Sequence, residues 1–192
     1  MLSKLALAAV GLGLGVAPAF AHLNPAEHGS LAAGFSHPLF GPDHILAMAG
    51  VGLWAALLGG RAIWLVPAAF AGTMLLGFMA ALVGFGLPFI EPVIAASVVV
   101  LGLLVMLSLR VPTTAGMLLV GFFALFHGYA HGGEIGEAGA FAYAAGFAVA
   151  TAMLHAVGAG LGLASGRLAG GWMVRAAGAL TALGGLLIVA GG

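Results

Sequence analysis

Long apolar stretches alternate along this chain with short clusters of Gly, Pro and charge. The apolar runs fall at roughly 43 to 59, 62 to 86, 93 to 109, 114 to 131, 139 to 163 and 172 to 190, each near the ~20 residues a helix needs to cross a bilayer core. Gly, Pro and charged residues punctuate them as helix breakers do. The pattern predicts six membrane-spanning helices joined by short loops. Gly and Ala are frequent in every run, and Gly158, Gly162 and Gly166 recur at four-residue spacing. Small residues let helix backbones approach closely where lipid supplies no hydrophobic drive between helices.

A different segment precedes the first run. Residues 1–21 carry Lys4, an apolar stretch from Leu5 to Val16, then Pro18 and a small-x-small sequence at Ala19-Phe20-Ala21. That is the layout of a secretory signal peptide cleaved after Ala21; the competing reading is a retained first helix. Residues 22–192 would then form one six-span transport domain. Cleavage would leave His22 at a free amino terminus, where amine and ring together can chelate a metal.

Composition agrees with a membrane bundle. Of 192 residues, 63% are hydrophobic and 5% charged, more apolar side chain than a soluble globule of this size can hide. The predicted fold class is therefore all-α, a polytopic transmembrane helix bundle. Five Lys plus Arg balance five Asp plus Glu, leaving no basic face to grip a phosphate backbone, which excludes nucleic acid as a partner. Cys is absent, which removes disulfides, thiolate metal cages and Cys nucleophiles.

The charges are segregated. With the mature amino terminus outside, the loops after the first, third and fifth spans face the cytoplasm. They hold Arg61, Arg110 and Arg167, with Arg175 just inside the sixth span, as the positive-inside rule requires. The outer segments hold Glu27, His28, His37, Asp43, Glu91, Glu134 and Glu137 without any Lys or Arg. Such a surface attracts cations. The expected location is a bacterial inner membrane, multi-pass, with both mature termini in the periplasm.

Two constellations carry chemistry. The first is His37-Pro38-Leu39-Phe40-Gly41-Pro42-Asp43-His44, whose two Pro and Gly break the helix entering the first span. Asp43 sits at a helix start, where it caps amides or offers oxygens to a cation. Met48 lies one turn from His44 on the same face, as core or as a soft ligand. The second is Phe126-His127-Gly128-Tyr129-Ala130-His131-Gly132-Gly133-Glu134. At 100° per residue, His127, His131 and Glu134 form one stripe of an unbroken helix, although Gly132-Gly133 could unwind the last turn. His155 stands alone deep in the fifth span; an ionisable group at that depth is a functional candidate, as a metal or proton way-station, or a hydrogen-bond partner of Thr151. Imidazoles with carboxylates and no thiolate suit a borderline divalent ion such as Ni²⁺ or Co²⁺, without choosing between them.

Taken together, the His37…Asp43-His44 motif and the Phe126-to-Glu134 motif resemble the two signatures of the HupE/UreJ family of nickel permeases, associated with hydrogenase and urease maturation. The resemblance covers essentially the whole chain. It implies that His37, Asp43, His44, His127, His131 and Glu134 serve metal uptake and that the cargo is nickel. The expected function is thus a secondary transporter rather than an enzyme, with no resident cofactor and with a divalent ion and the lipid bilayer as partners. A homo-oligomer is compatible with this. Weighed against it are a Co²⁺ or other divalent permease, a membrane-embedded metal-dependent hydrolase with Glu134 as base, and a metal-binding sensor. The expected route runs from His22 or His28 at the outer mouth, through a site shared by the first and fourth spans, to an exit past His155. Membrane voltage is the expected drive, since there is no nucleotide-binding loop. The opposite senses of spans one to three and four to six permit an inverted repeat, with little sequence similarity between the halves.

Overall fold

The computed structural model describes residues 30–135, 139–168 and 171–191. Residues 1–21, expected to be a signal peptide, lie outside the described residues together with His22, Glu27, His28 and Glu137, as do the side chains of Glu134 and Arg167.

Among the described residues the structure is all helical, with seven helices and no strand. In chain order they are α1 (Leu31–Phe40), α2 (Pro42–Leu58), α3 (Ala62–Leu82), α4 (Ile90–Met106), α5 (Thr113–Ile135), α6 (Ala140–Leu168) and α7 (Trp172–Gly191). Four of them, α3, α5, α6 and α7, are long and apolar enough to cross a membrane; α1 and α2 together pass the same criterion as one broken span, and α4 is a shorter apolar helix of 17 residues.

The break falls where the Pro and Gly stand. Ser30 caps α1, its hydroxyl accepting from the Ala33 amide at 3.0 Å. Gly41 takes an extended conformation between the helices, Pro42 opens α2 without an amide to satisfy, and the axis turns by 82°. Elsewhere the helix ends differ modestly from the apolar runs. The second run extends to 86, but α3 stops at Leu82 because Gly84 turns left-handed at φ 75°. Conversely, α4 starts at Ile90, ahead of its run, since Pro92 fits a first helical turn. α5 continues through Gly132-Gly133 to Ile135 without unwinding.

α3 packs most extensively on α5, α4 on α7, and both α1 and α2 on α6. Trp54, Phe70, Met74, Leu101, Val120 and Phe147 are fully or almost fully buried between them. Large apolar side chains such as Trp64, Leu118, Phe122, Leu180 and Leu187 point outward, the reverse of a water-soluble surface and the arrangement lipid requires.

Two hydrogen bonds identify one end of the bundle. The Trp54 indole donates to the Leu109 carbonyl at 2.8 Å, and Arg175 Nε donates to the Met106 carbonyl at 3.0 Å. These contacts bring the α2–α3 loop, the α4–α5 loop and the start of α7 together. Arg61, Arg110 and Arg175 therefore share an end, and His37, His44, His131 and Glu91 lie toward the other.

Candidate metal centre

Three helices meet at the end opposite the arginines. His37 comes from α1, His44 from the first turn of α2, and His131 from near the end of α5. One ring nitrogen of each lies within 4.8 Å of the others. His44 and His131 are buried and His37 half-buried.

The helix break makes this possible. A straight helix through residues 31–58 would carry His37 almost two turns beyond His44; the 82° bend folds α1 back over the mouth of the bundle. α1 is held there by α6, because a Cβ at Gly34 would collide with the Tyr143 carbonyl and one at Gly146 with the Leu31 carbonyl. The His37 ring consequently lies 4.3 Å from that of His131 and 5.3 Å from that of His44.

Within the cluster, His44 Nε2 and His131 Nε2 are 2.6 Å apart. Two nitrogen lone pairs at that distance repel unless a proton or a cation lies between them. Metal–imidazole bonds of about 2.0–2.1 Å set ligand nitrogens roughly 3 Å apart, so a small opening of this pair would admit an ion. On the other side of the His44 ring, Asp43 Oδ1 lies 2.9 Å from Nδ1. A carboxylate so close to a ring nitrogen is placed to orient the ring toward a metal. No side chain caps the amino terminus of α2, whose N-cap is Gly41. Phe147 stands 4.9 Å from the His131 ring and 5.9 Å from that of His44, with Tyr143 beyond it, 6.2 Å from His37. These rings wall the cluster with apolar surface.

His127 occupies the next level down. It is fully buried, its ring 5.4 Å from that of His44. Its Nε2 is 3.0 Å from Ser97 Oγ, and that hydroxyl donates its proton to the Ile94 carbonyl at 2.6 Å. Ser97 must therefore accept from His127, which places the imidazole proton on Nε2 and leaves Nδ1 as a bare lone pair. Nδ1 has no hydrogen-bond partner, the state a nitrogen ligand needs. Ser97 was not among the residues singled out in the sequence, although it is the one hydroxyl between Pro92 and Met106 of an otherwise apolar α4.

His155 lies apart from the cluster, buried in α6 against Phe70 with ring centroids 5.1 Å apart. Its Nε2 has no hydrogen-bond partner, and Thr151, the alternative partner offered by the sequence, donates its hydroxyl to Met74 Sδ at 3.6 Å. Met48 is fully buried in the core. Glu134 falls in the last turn of α5, one turn beyond His131. The structure thus joins His37, His44 and His131, with Asp43 beside His44 and His127 beneath.

A helical bundle with lipid-facing apolar sides and a buried imidazole cluster at one end defines a multi-pass membrane protein able to hold a metal ion. The comparisons with known proteins specify it further. The family model described as HupE / UreJ protein matches residues 4–188. Protein HupE of Rhizobium leguminosarum bv. viciae is 44% identical over 177 residues, covering 91% of this chain and 92% of its own length. The chain belongs to the HupE/UreJ family. No solved structure matches it.

Proposed function

We propose that this protein is a six-span permease of the bacterial inner membrane that takes up divalent nickel by voltage-driven facilitated diffusion. The observation that carries the proposal is the convergence of His37, His44 and His131, from three helices, within 4.8 Å at the arginine-poor end. Three neutral imidazoles match a borderline divalent ion and offer little to Mg²⁺ or Ca²⁺, which prefer oxygen. Membership of the HupE/UreJ family supports nickel as the cargo.

In this reading the arginine end is cytoplasmic, and six spans arise when α1 and α2 cross as one and α4 crosses with its flanking residues. Asp43 holds the His44 ring and adds negative charge at the mouth, Glu134 and His22 assist capture, and His127 receives the ion from the cluster. An exchangeable site of neutral ligands suits a carrier, since binding must be strong enough to select and weak enough to release. Co²⁺ shares the same donor preferences. Uptake by cells expressing the chain, with Ni²⁺, Co²⁺ and Zn²⁺ in competition, is the test. Nickel accumulation that His37→Ala, His44→Ala or His131→Ala abolishes is expected; accumulation near wild type in all three variants would overturn the proposal.

A further inference from the structure

The glycines record a relationship between the two halves that the sequence barely shows. A Cβ at Gly52 of α2 would strike the His155 carbonyl of α6, and a Cβ at Gly128 of α5 would strike the Met74 carbonyl of α3. Likewise a Cβ at Gly158 of α6 would strike the Ala49 carbonyl, and one at Gly77 of α3 the Leu125 carbonyl. One numbering offset carries Ala49 to Leu125 and Gly52 to Gly128, and a second, slightly longer one carries Met74 to His155 and Gly77 to Gly158. Each contact is thus the other with the halves exchanged. α4 and α7 repeat the pattern on themselves, because Gly102 abuts the Ala182 amide and Gly178 the Met106 amide, pairs related by the first offset. A pseudo-two-fold axis relates α2, α3 and α4 to α5, α6 and α7. Three helices per half insert the halves in opposite senses, so the axis lies in the membrane plane.

Side chains locate that axis. Thr151 Oγ1 contacts Met74 Sδ at 3.6 Å, and the Phe70 and His155 rings stand 5.1 Å apart. The second offset turns Met74 into His155 and Phe70 into Thr151, so these two contacts exchange with one another. The axis passes between them, and Met74 and His155 are equivalent positions on either side of the bundle midplane. Both are buried, and His155 Nε2 has no hydrogen-bond partner. A thioether and an unpartnered imidazole facing the same α3–α6 contact are soft and borderline donors in an otherwise apolar layer. A run of rings leads to them from the cluster: His44 to His127 at 5.4 Å, His127 to Phe70 at 5.8 Å, Phe70 to His155 at 5.1 Å.

We propose that the chain is an inverted repeat, and that Met74, Thr151 and His155 at its pseudo-two-fold axis form a second ion station for a soft or borderline divalent cation midway across the bundle. The inference rests on the transport reading above for its role, and on the α3–α6 contact for its place. Ion transfer past the Phe70 ring from His127 brings the cargo to donors of different chemistry, a thioether in place of a carboxylate-supported imidazole.

The test uses the purified full-length chain loaded with Ni²⁺ and X-ray absorption at the nickel edge. The expected spectrum contains a Ni–S path, which disappears in Met74→Leu and persists in Met48→Leu, the control for the thioether near His44. His155→Gln should lose one bound equivalent of nickel while the His37→Ala variant retains that equivalent. In transport, Met74→Leu and His155→Gln should lower the maximal uptake rate and leave the half-saturating concentration unchanged. Absence of a Ni–S path from the wild-type chain, or its survival in Met74→Leu, overturns the second station. Should His37→Ala still abolish uptake in that case, the permease reading stands while this one falls.

Discussion

His44 Nε2 and His131 Nε2 face each other across 2.6 Å although their residues belong to helices far apart in the chain. Such a pair is under electrostatic compulsion: it holds a shared proton, or it holds a cation. A ligand that binds only the folded state stabilises it by about 2.7 kcal/mol at a hundredfold excess over its Kd. Ni²⁺ is accordingly expected to raise the melting temperature of the detergent-solubilised protein. His44→Ala and His131→Ala should each remove the share of that shift that the shared site supplies, leaving at most the share of the second station, and their combination should remove no more, because one half of the pair cannot hold the ion alone. A Ni²⁺-induced shift of full size in either single variant would count against the shared site.

Close helix approach predicts which glycines tolerate a side chain. At Gly52 and Gly128 an added side chain meets backbone carbonyls of α6 and α3, which cannot swing aside, whereas at Gly133 it meets nothing within 4 Å. Gly128→Val should cost about 1–3 kcal/mol or more through overpacking. Gly133→Ala should be near neutral, with a slight gain from helix propensity. Thermal unfolding in detergent compares the two; equal stability would mean that α3 and α5 do not pack as described.

At the opposite end, the Trp54 indole ties α2 to the loop after α4 through Leu109. Trp54→Phe keeps a ring in the core and deletes that bond, an expected loss of about 1 kcal/mol. Since Trp54 is nearly three turns of α2 below His44, nickel binding should be unchanged. A large change in affinity would show that the two ends are energetically coupled.

Orientation is testable in a chain without Cys. Single Cys replacements at Arg61 and Arg110 should resist an impermeant thiol reagent in intact cells and react after permeabilisation, while one at Glu91 should react from outside. Labelling of position 61 from outside would invert the topology.

Voltage-driven uptake makes a quantitative demand. Two charges moving inward gain roughly 4.6 kcal/mol per 100 mV, enough for about three powers of ten in concentration. In proteoliposomes an inside-negative potassium diffusion potential should speed Ni²⁺ entry without a pH gradient. Entry that follows an imposed proton gradient and ignores voltage would point to proton coupling instead.

What the sequence alone determined is what depends on neighbours along the chain. Runs of apolar residues specify helices because a backbone in lipid must satisfy its own hydrogen bonds, and Gly41 and Pro42 break α1 from α2 because one lacks a side-chain constraint and the other a donor, whereas Pro38, expected to share in the break, is accommodated inside α1. The segregation of Arg61 and Arg110 from His37 and His44 follows from span lengths, and the shared stripe of His127 and His131 from the helical period. Tertiary structure decided which of these local features meet. No periodicity indicates that α1 lies on α6, that His37 therefore covers His131, or that Ser97 on α4 sets the tautomer of His127. Those placements arise from close contacts such as Gly34 on Tyr143 and Gly128 on Met74. A glycine permits such an approach but does not name its partner; that is settled only when several helices pack at once, each surface excluding the alternatives open to the others.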